Sequence, residues 1–422
     1  MPVHFSTPKK SSKTARDSIL GVWFFALFLF AGYYKGDPHL AFIQRHIDIT
    51  LLFLVLSVSV FFFRSLKRGF RYPVPRSFAR ITLLFLLLAV IFVAGAFLSG
   101  SRGYGLEKAA RFCVLTGWAF FGSAFLGTDF RTFKRFSWAV AVIGTIMAIG
   151  AILEYRSSGQ FVTAFESNYI ALARAGGFGL LTIVGLLLPT ESRPVVRISL
   201  WVIAALQFWA ALVAGARGPV LALILSFLLF FALSIRSLPH LRIDRFALRF
   251  GVLVFPVFIA IAVIGQEIFP TLVSRTRAAL AMGDTSLLKR FELYRAALAL
   301  WAESPIWGHG TGQFSVAIAG YDTRFYPHNI VLELGAETGI IGVLIFGIMV
   351  GVAFSEGMRR MYYGRNPNKT VVRYLLAASC FALLNAMVSG DINDNRVLFT
   401  TLGLLALTPR LHEVTPNKGN TR

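Results

Sequence analysis

Cysteine and acidic residues are scarce in this chain of 422 residues, which has 2 Cys and 20 Asp plus Glu against 42 Lys plus Arg. Both cysteines, Cys113 and Cys380, fall inside apolar runs, so we expect inert packing residues and neither a disulfide nor a metal pair. The sequence also has no paired histidines at metal-ligand spacing. Asp391 and Asp394, in D-I-N-D, leave a divalent ion as an alternative, but we expect no metal and no cofactor.

Short segments of alternating polarity, which mark a membrane β-barrel, are missing too. Apolar runs of about 17–25 residues, long enough to span a bilayer, take their place. Hydrophobic residues make up 56% of the chain and its mean hydropathy is +0.67. These values exclude a soluble domain and predict an all-α, polytopic integral membrane protein. The basic segment 4–16 resembles a signal peptide, but no small-residue cleavage site follows, so we expect an uncleaved first span.

About twelve membrane-spanning helices are predicted, and an even number places both termini on one side. Residues 1–265 would contain nine spans, 266–328 one large and partly helical loop, and 329–422 three spans and a tail. The expected spans are 18–34, 48–63, 79–98, 107–127, 137–154, 168–189, 197–214, 219–235, 246–265, 329–354, 370–389 and 396–409.

The basic residues indicate which side is cytoplasmic. A net charge of +22 could indicate nucleic-acid binding, but that function needs a clustered basic face. Lys and Arg fall mostly in alternate short gaps between the apolar runs, as the positive-inside rule describes. We therefore expect cytoplasmic termini, membrane lipids as neighbours and no nucleic-acid partner. The long loop then lies on the outer side.

Local patterns in the long loop predict one helix and one turn. Asp284 or Thr285 can cap a helix whose apolar residues recur at helical spacing through Glu303, and Pro305 ends it. The run G-H-G-T-G-Q-F at 308–314 resembles a phosphate-cradling loop. No strand precedes it and it lacks the lysine of a nucleotide loop, so we expect a chain reversal.

The stretch H-N-I-V-L-E-L-G-A-E-T-G-I-I-G, residues 328–342, begins a helix with His328 or Asn329 at its cap. A histidine at a helix N-terminus feels the positive end of the dipole, which keeps the imidazole neutral and able to accept a proton. Glu333 and Glu337 follow on one face. The stretch also fits a simple helix cap followed by close packing through its small residues, Gly335, Gly339 and Gly342.

Three arginines of the outer side lie where an unpaired charge is costly, so each is a functional hypothesis by default. Arg174 lies within an apolar span, Arg217 in a tight turn between two spans, and Arg290 on the loop helix. Structural alternatives are interface anchoring of Arg217 by snorkelling and an ion pair of Arg174 with Glu333 or Glu337.

Outward guanidinium groups and a neutral imidazole suit one kind of reaction. Guanidinium forks bind phosphate oxygens and stay charged at any working pH, and a neutral histidine can remove a proton from a hydroxyl. Together they suit displacement at a sugar carbon with a lipid diphosphate as the leaving group. The arginines would stabilise the departing charge without a metal.

These motifs resemble those of the O-antigen ligase and polymerase superfamily. The H-N, nine residues, G-x-x-G pattern is similar to that family's motif in its long periplasmic loop and following helix. Three further stretches also resemble the family. They are A-R-G-P at Arg217, K-R-F-E-L-Y-R-A-A-L at Arg290, and E-S-P-I-W-G-H-G-T-G-Q-F at 303–314.

The resemblance implies a glycosyltransferase of the bacterial inner membrane with its site facing the periplasm. The donor would be a glycan on undecaprenyl diphosphate. Arg217 and Arg290 would bind the diphosphate, and His328 would act as the base or orient the acceptor, with inversion and no metal. We add Arg174 to the diphosphate-binding group because of its burial cost. Supporting residues would be Asn329, Glu333 and Glu337.

Length and the lack of a soluble C-terminal domain favour a ligase, whose acceptor is lipid A–core. An O-antigen polymerase and a protein O-oligosaccharyltransferase share the motif and remain alternatives. A lipid-linked oligosaccharide flippase is the alternative from another class. A transporter would place charges through the membrane depth and on both sides, with paired broken helices. Here the unusual groups lie on one side, which favours an enzyme.

Overall fold

A computed structural model describes residues 12–67, 69, 74–155, 161–236, 242–243, 269–281, 283–363 and 369–411. Nearly all regular structure in these ranges is helical. The exception is a two-residue antiparallel pair that joins β1 (Ile235–Arg236) to β2 (Arg242–Ile243).

Fifteen α-helices in the described ranges build the protein, and short 3₁₀ turns connect several of them. They are α1 Ser12–Phe30, α2 Ala41–His46, α3 Ile49–Lys67, α4 Arg76–Leu98, α5 Tyr104–Leu126, α6 Phe130–Glu154, α7 Tyr169–Thr190, α8 Pro194–Val213, α9 Arg217–Ala232, α10 Pro270–Leu280, α11 Thr285–Glu303, α12 Gln313–Ala319, α13 Ile330–Tyr363, α14 Lys369–Ala386 and α15 Arg396–Ala406.

Seven of these helices are long and apolar enough to cross a membrane, namely α3 to α8 and α13. Shorter apolar helices lie at Ile19–Tyr33 and Arg217–Ala232. Apart from the β1–β2 pair, the described part of the chain is therefore helical and has the apolar helices of a membrane-embedded protein, as predicted. The number twelve stays a prediction. The expected span 246–265 and the boundary after residue 265 lie outside the described residues. Helix α15 has 11 residues, which rise only about 16 Å, roughly half of a bilayer core.

Apolar side chains are distributed as in a helical membrane bundle. Helix α7 is buried almost throughout, and a helix that is apolar on every side belongs in the interior. Helix α4 in contrast exposes Leu83, Val90 and Leu98 by 60%, 65% and 85%. Such a continuous exposed apolar face fits contact with lipid.

Helix α13 is interrupted at Gly339, where the backbone has φ 63° and ψ −164°. A glycine adopts this conformation without the steric cost that a Cβ brings. A Cβ at Gly339 would also overlap the carbonyl of Ile306. The sequence predicted one continuous helix with close glycine contacts, and the break corrects that interpretation.

The segment 304–312, called here the docked turn, fills the break in α13. The amides of His309 and Gly310 donate to the carbonyls of Ala336 and Glu337 at 3.0 and 2.9 Å. In return, the amide of Ile340 donates to the carbonyl of Pro305 at 2.8 Å. Backbone groups released by the break are thus satisfied. The turn predicted for the run 308–314 is present, and it is bonded to residues 336–340 of α13.

Replacement of Gly339 by alanine should destabilise the protein. A non-glycine residue in such a conformation costs about 1–3 kcal/mol, and the new Cβ also collides with the docked turn. We expect a clear fall in the thermal unfolding temperature of the detergent-solubilised protein. Gly351→Ala is the control, because a Cβ there meets nothing within 4 Å and should be neutral or slightly stabilising. Equal unfolding temperatures for the two variants would contradict the role given to the break.

Candidate active site

Arg217 links the start of α9 to α10 and to the cap of α11, both in the long loop. Its Nη2 lies 2.9 Å from Oδ1 of Asp284, and its Nη1 donates to the carbonyl of Arg275. Asp284 is the N-cap of α11, as predicted, and accepts from the amide of Leu287 at 2.8 Å. Although burial opposes the effect, the Leu287 amide and the Arg217 guanidinium hold the pKa of Asp284 below its usual value. Contacts within the protein therefore fix Arg217, in contrast to a snorkelling anchor.

Arg275 is a neighbour of this group that the sequence analysis missed. Its guanidinium lies 4.9 and 5.5 Å from the ring centres of Phe161 and Tyr169. It also donates to the carbonyl of Gly215 at 3.1 Å. These contacts orient a second cation next to Arg217.

One cavity brings the arginines of the outer turn and of the loop helix together. Arg217, Arg275 and Arg290 all line it, along with polar groups that include Ser286 and Ser389. It adjoins a larger cavity of about 970 Å³ that also contains Arg275. Asp284 is the acidic residue that contacts Arg217 and Arg275, so the described lining has an excess of positive charge suited to an anionic ligand.

Arg174 is buried, with only 8% of its surface exposed, and it lines a separate small cavity. Ser389, which Arg174 contacts, also lines the cavity of Arg217. Nη2 of Arg174 donates to the carbonyls of Asn385 and Ser389 at 2.7 and 2.9 Å, and its Nε donates to Oδ1 of Asn385 at 3.2 Å. The suggested ion pair with Glu333 or Glu337 is wrong. Carbonyl dipoles hold this guanidinium, which shares the lining of its own small cavity with Asp394.

His328 precedes the helix cap, which is Asn329. The Asn329 side chain accepts from the amides of Val331 and Leu332 at 3.0 and 3.1 Å. His328 has φ 60°, an uncommon conformation for a residue with a Cβ. Its ring packs edge-on against Tyr326 at 4.6 Å. The buried Nδ1 has no hydrogen-bond partner among the described residues. This strained, well-packed position gives the imidazole a defined orientation.

The His328 imidazole is neutral at physiological pH. Burial, and then the charge of Arg290, lower the pKa of His328 from 6.5 to about 4. Arg174 and Arg324 act in the same direction, and Asp391 opposes them. This low pKa agrees with the predicted neutral state, but its main cause is burial and then neighbouring cations, whereas the sequence suggested the helix dipole. Arg290 and Arg174 are thus electrostatic neighbours of this ring.

Arg324, which was not identified from the sequence, forms ion pairs with Asp391 and Asp394. These are the two carboxylates considered above as ligands of a divalent ion. Nε of Arg324 lies 3.0 Å from Asp391 Oδ2, and its Nη2 lies 2.6 Å from Asp394 Oδ2. The two acids also form a reciprocal cap around 392–395. No group of three or more His, Cys, Asp or Glu that could hold a metal occurs among the described residues.

Glu333 and Glu337 lie beneath the site and bind a buried lysine. Nζ of Lys108 lies 2.6 Å from Glu333 Oε1 and 2.7 Å from Glu337 Oε2, and all three side chains are at most 1% exposed. The other Glu333 oxygen accepts from the amide of Ile392 at 3.1 Å. This group, called here the lysine triad, joins α5 to α13. It gives the glutamates a supporting place below the site.

Lys108 and Arg324, which were not identified from the sequence, differ in how strongly their local sequence indicates a special role. Lys108 stands at the start of an apolar span, in E-K-A-A-R, where a lysine without a partner would be costly. That position was a usable signal. Arg324 lies in a polar stretch of the loop, where an arginine is ordinary, and no local pattern distinguishes it.

A comparison with protein-family models matches residues 202–347 to the family described as O-antigen ligase. The matched segment contains Arg217, Arg290 and His328, whereas Arg174 and Lys108 lie outside it. A comparison with curated proteins finds no match. The family match confirms the resemblance to the O-antigen ligase and polymerase superfamily. It supports a ligase- or polymerase-like function of the glycosyltransferase type.

Lys108→Met should destabilise the protein strongly, because it leaves two buried carboxylates without a cation. Breaking a buried pair in this way costs about 3–5 kcal/mol. Arg111→Met is the matched control, because its contact with Glu107 on the same helix is exposed and worth at most about 1 kcal/mol. Thermal unfolding in detergent measures both.

The triple variant Lys108→Met, Glu333→Gln, Glu337→Gln should regain part of the lost stability, because it removes the carboxylate charges as well. If Lys108→Met unfolds at the temperature of Arg111→Met, the lysine triad has no structural role.

Proposed function

We propose, from the family match and the cation-lined cavity together, that the chain is an O-antigen ligase. It would transfer a glycan from undecaprenyl diphosphate to a sugar hydroxyl of lipid A–core at the periplasmic face of the inner membrane. The reaction would invert the sugar carbon and require no metal. The observation that carries this proposal is a cavity lined by Arg217 and Arg290, with the positive charge of Arg290 also acting on the neutral His328.

The proposed leaving group explains why several arginines surround one cavity. As the bond from sugar to phosphate breaks, negative charge grows on the diphosphate, and preorganised guanidinium groups stabilise that charge without rearranging. A guanidinium has five N–H donors, and the two contacts of Arg217 with Asp284 and Arg275 leave others to bind phosphate. Arg290 and Arg174 would contribute further positive charge.

His328 would accept the proton of the attacking hydroxyl. In the free protein its low pKa makes the imidazole a weak base, because neighbouring cations oppose a second positive charge. A bound diphosphate would offset the charges of Arg290 and Arg174 and so raise the proton affinity of the ring. The base would thus become effective when the donor is present, which limits futile activation of hydroxyls.

Competition between two acceptors tests the proposed acceptor. The purified protein is reconstituted with a lipid-linked glycan donor, lipid A–core and a second lipid-linked glycan. Transfer to lipid A–core supports the ligase, whereas elongation of the lipid-linked glycan supports an O-antigen polymerase. Movement of the donor across the bilayer without any new glycosidic bond would favour a flippase.

His328→Ala should abolish transfer while the protein still folds and inserts. Loss of a general base lowers rates by about 10²- to 10⁴-fold, and the assay is glycan attachment to lipid A–core in the reconstituted system. His39→Ala is the control, because the ring of His39 is 93% exposed and is not part of the candidate site. Retained transfer by a correctly folded His328→Ala protein would remove the histidine from the proposed chemistry.

Arg217→Lys should also lower transfer, by about tenfold or more, because an ammonium group is a point charge that cannot replace the planar fork at a phosphate. The readout is kcat/KM for the donor. Arg295→Lys on α11 makes the same exchange at an exposed position and should leave kcat/KM unchanged. Full activity of Arg217→Lys would reduce Arg217 to a structural anchor.

A further inference from the structure

A second group of arginines lines a cleft at the other end of α13. This basic cleft has a volume of about 700 Å³. Glu356 on its wall is 26 residues beyond the start of α13, which is about 40 Å along the helical path at 1.5 Å per residue. The cleft is therefore separate from the candidate active site. Its arginines come from three separate stretches of the chain and are Arg76, Arg80, Arg359, Arg360 and Arg410.

Positive charge in the basic cleft is only partly balanced. Glu356 contacts Arg359 and Arg360 at 2.8 and 2.9 Å. Arg76, Arg80 and Arg410 have no acidic partner in the described part of the chain. Moreover, Nη2 of Arg410 is shielded from solvent and has no hydrogen-bond acceptor. A shielded donor without an acceptor is unfavourable, and an anion in the cleft would supply one.

The start of α4 adds further donors to the same cleft. Pro75 is its N-cap and provides no side-chain hydrogen bond, so the first amides of the helix have no such acceptor. The nearby Ser77 hydroxyl donates instead to the carbonyl of Ala406 at 2.8 Å. Helix amides together with arginines are a common setting for phosphate oxygens.

Apolar residues complete the wall and indicate which phosphate compound fits. Val74 and Val352 line the cleft beside the arginines, and α4 and α13 are both membrane-length helices. Arginines from α4, α13 and the end of the described chain line this one cleft, although Arg76, Arg80 and Arg359 remain open to solvent. We infer that the basic cleft binds the headgroup of an anionic phospholipid, with its acyl chains along α4 and α13.

Lipid binding to the full chain tests this inference. The protein is purified free of lipid in detergent, and binding of phosphatidylglycerol, phosphatidylcholine and inorganic phosphate is measured by native mass spectrometry. We expect preferential binding of phosphatidylglycerol. The variant Arg76→Gln, Arg80→Gln, Arg410→Gln should weaken it by about tenfold or more, since each basic residue near an anionic headgroup contributes favourably.

A matched variant controls for overall charge. Arg131→Gln, Arg193→Gln, Arg197→Gln removes three exposed arginines elsewhere and should change phosphatidylglycerol binding less than about twofold. Equal losses in the two triple variants would overturn the inference, as would equal binding of phosphatidylcholine. Inorganic phosphate binding as tightly as phosphatidylglycerol would overturn the lipid assignment. If the cleft triple variant fails to fold, Arg80→Gln alone, at an exposed position, is measured and should still weaken lipid binding.

Discussion

The ammonium group of Lys108 allows two glutamates to be buried below the candidate site. Glu333 and Glu337 lie on the first turns of α13, where burial would be prohibitive for two carboxylates alone. Lys108 binds both, and its own carbonyl accepts from the side chain of Asn393 at 3.1 Å. Helix α13, helix α5 and the turn 392–395 are therefore joined around one buried charge. These contacts fix where the neighbouring residues of the candidate site lie.

Next to the lysine triad, the acidic residues are paired with one arginine, and other arginines lie where an anionic ligand could bind. Arg324 binds Asp391 and Asp394, so these two carboxylates are already occupied by a cation. Arg290 and Arg174 act on His328 as positive charges and lower its pKa, although Arg174 also shares a small cavity with Asp394. The same arrangement that keeps the imidazole neutral thus supports a diphosphate as the proposed ligand. The acids stabilise the scaffold, and the cavity lined by Arg217, Arg275 and Arg290 keeps an excess of positive charge.

Local signals were sufficient for part of this site and failed where tertiary contacts decide. The Asp284 cap and the chain reversal at 308–314 followed from side-chain chemistry and from glycine, which act over a few residues. The partner of Arg174 could not be deduced, because the carbonyls that bind it belong to α14 and the turn after it. Likewise, Gly339 looked like a packing residue, since its helix-breaking role depends on a turn that begins 35 residues earlier.

The interruption at Gly339 also has a mechanical consequence. A continuous helix would transmit any tilt or rotation of its membrane portion directly to the residues at its tip. Here the first turns of α13 are bonded sideways to the docked turn, and the helical ladder is cut at the same level. Because the amide of Ile340 beyond the cut is bonded to the same turn, the two parts of α13 are connected through the docked turn as well as through their own backbone. Any movement of the long segment then reaches the His328 end partly through this turn.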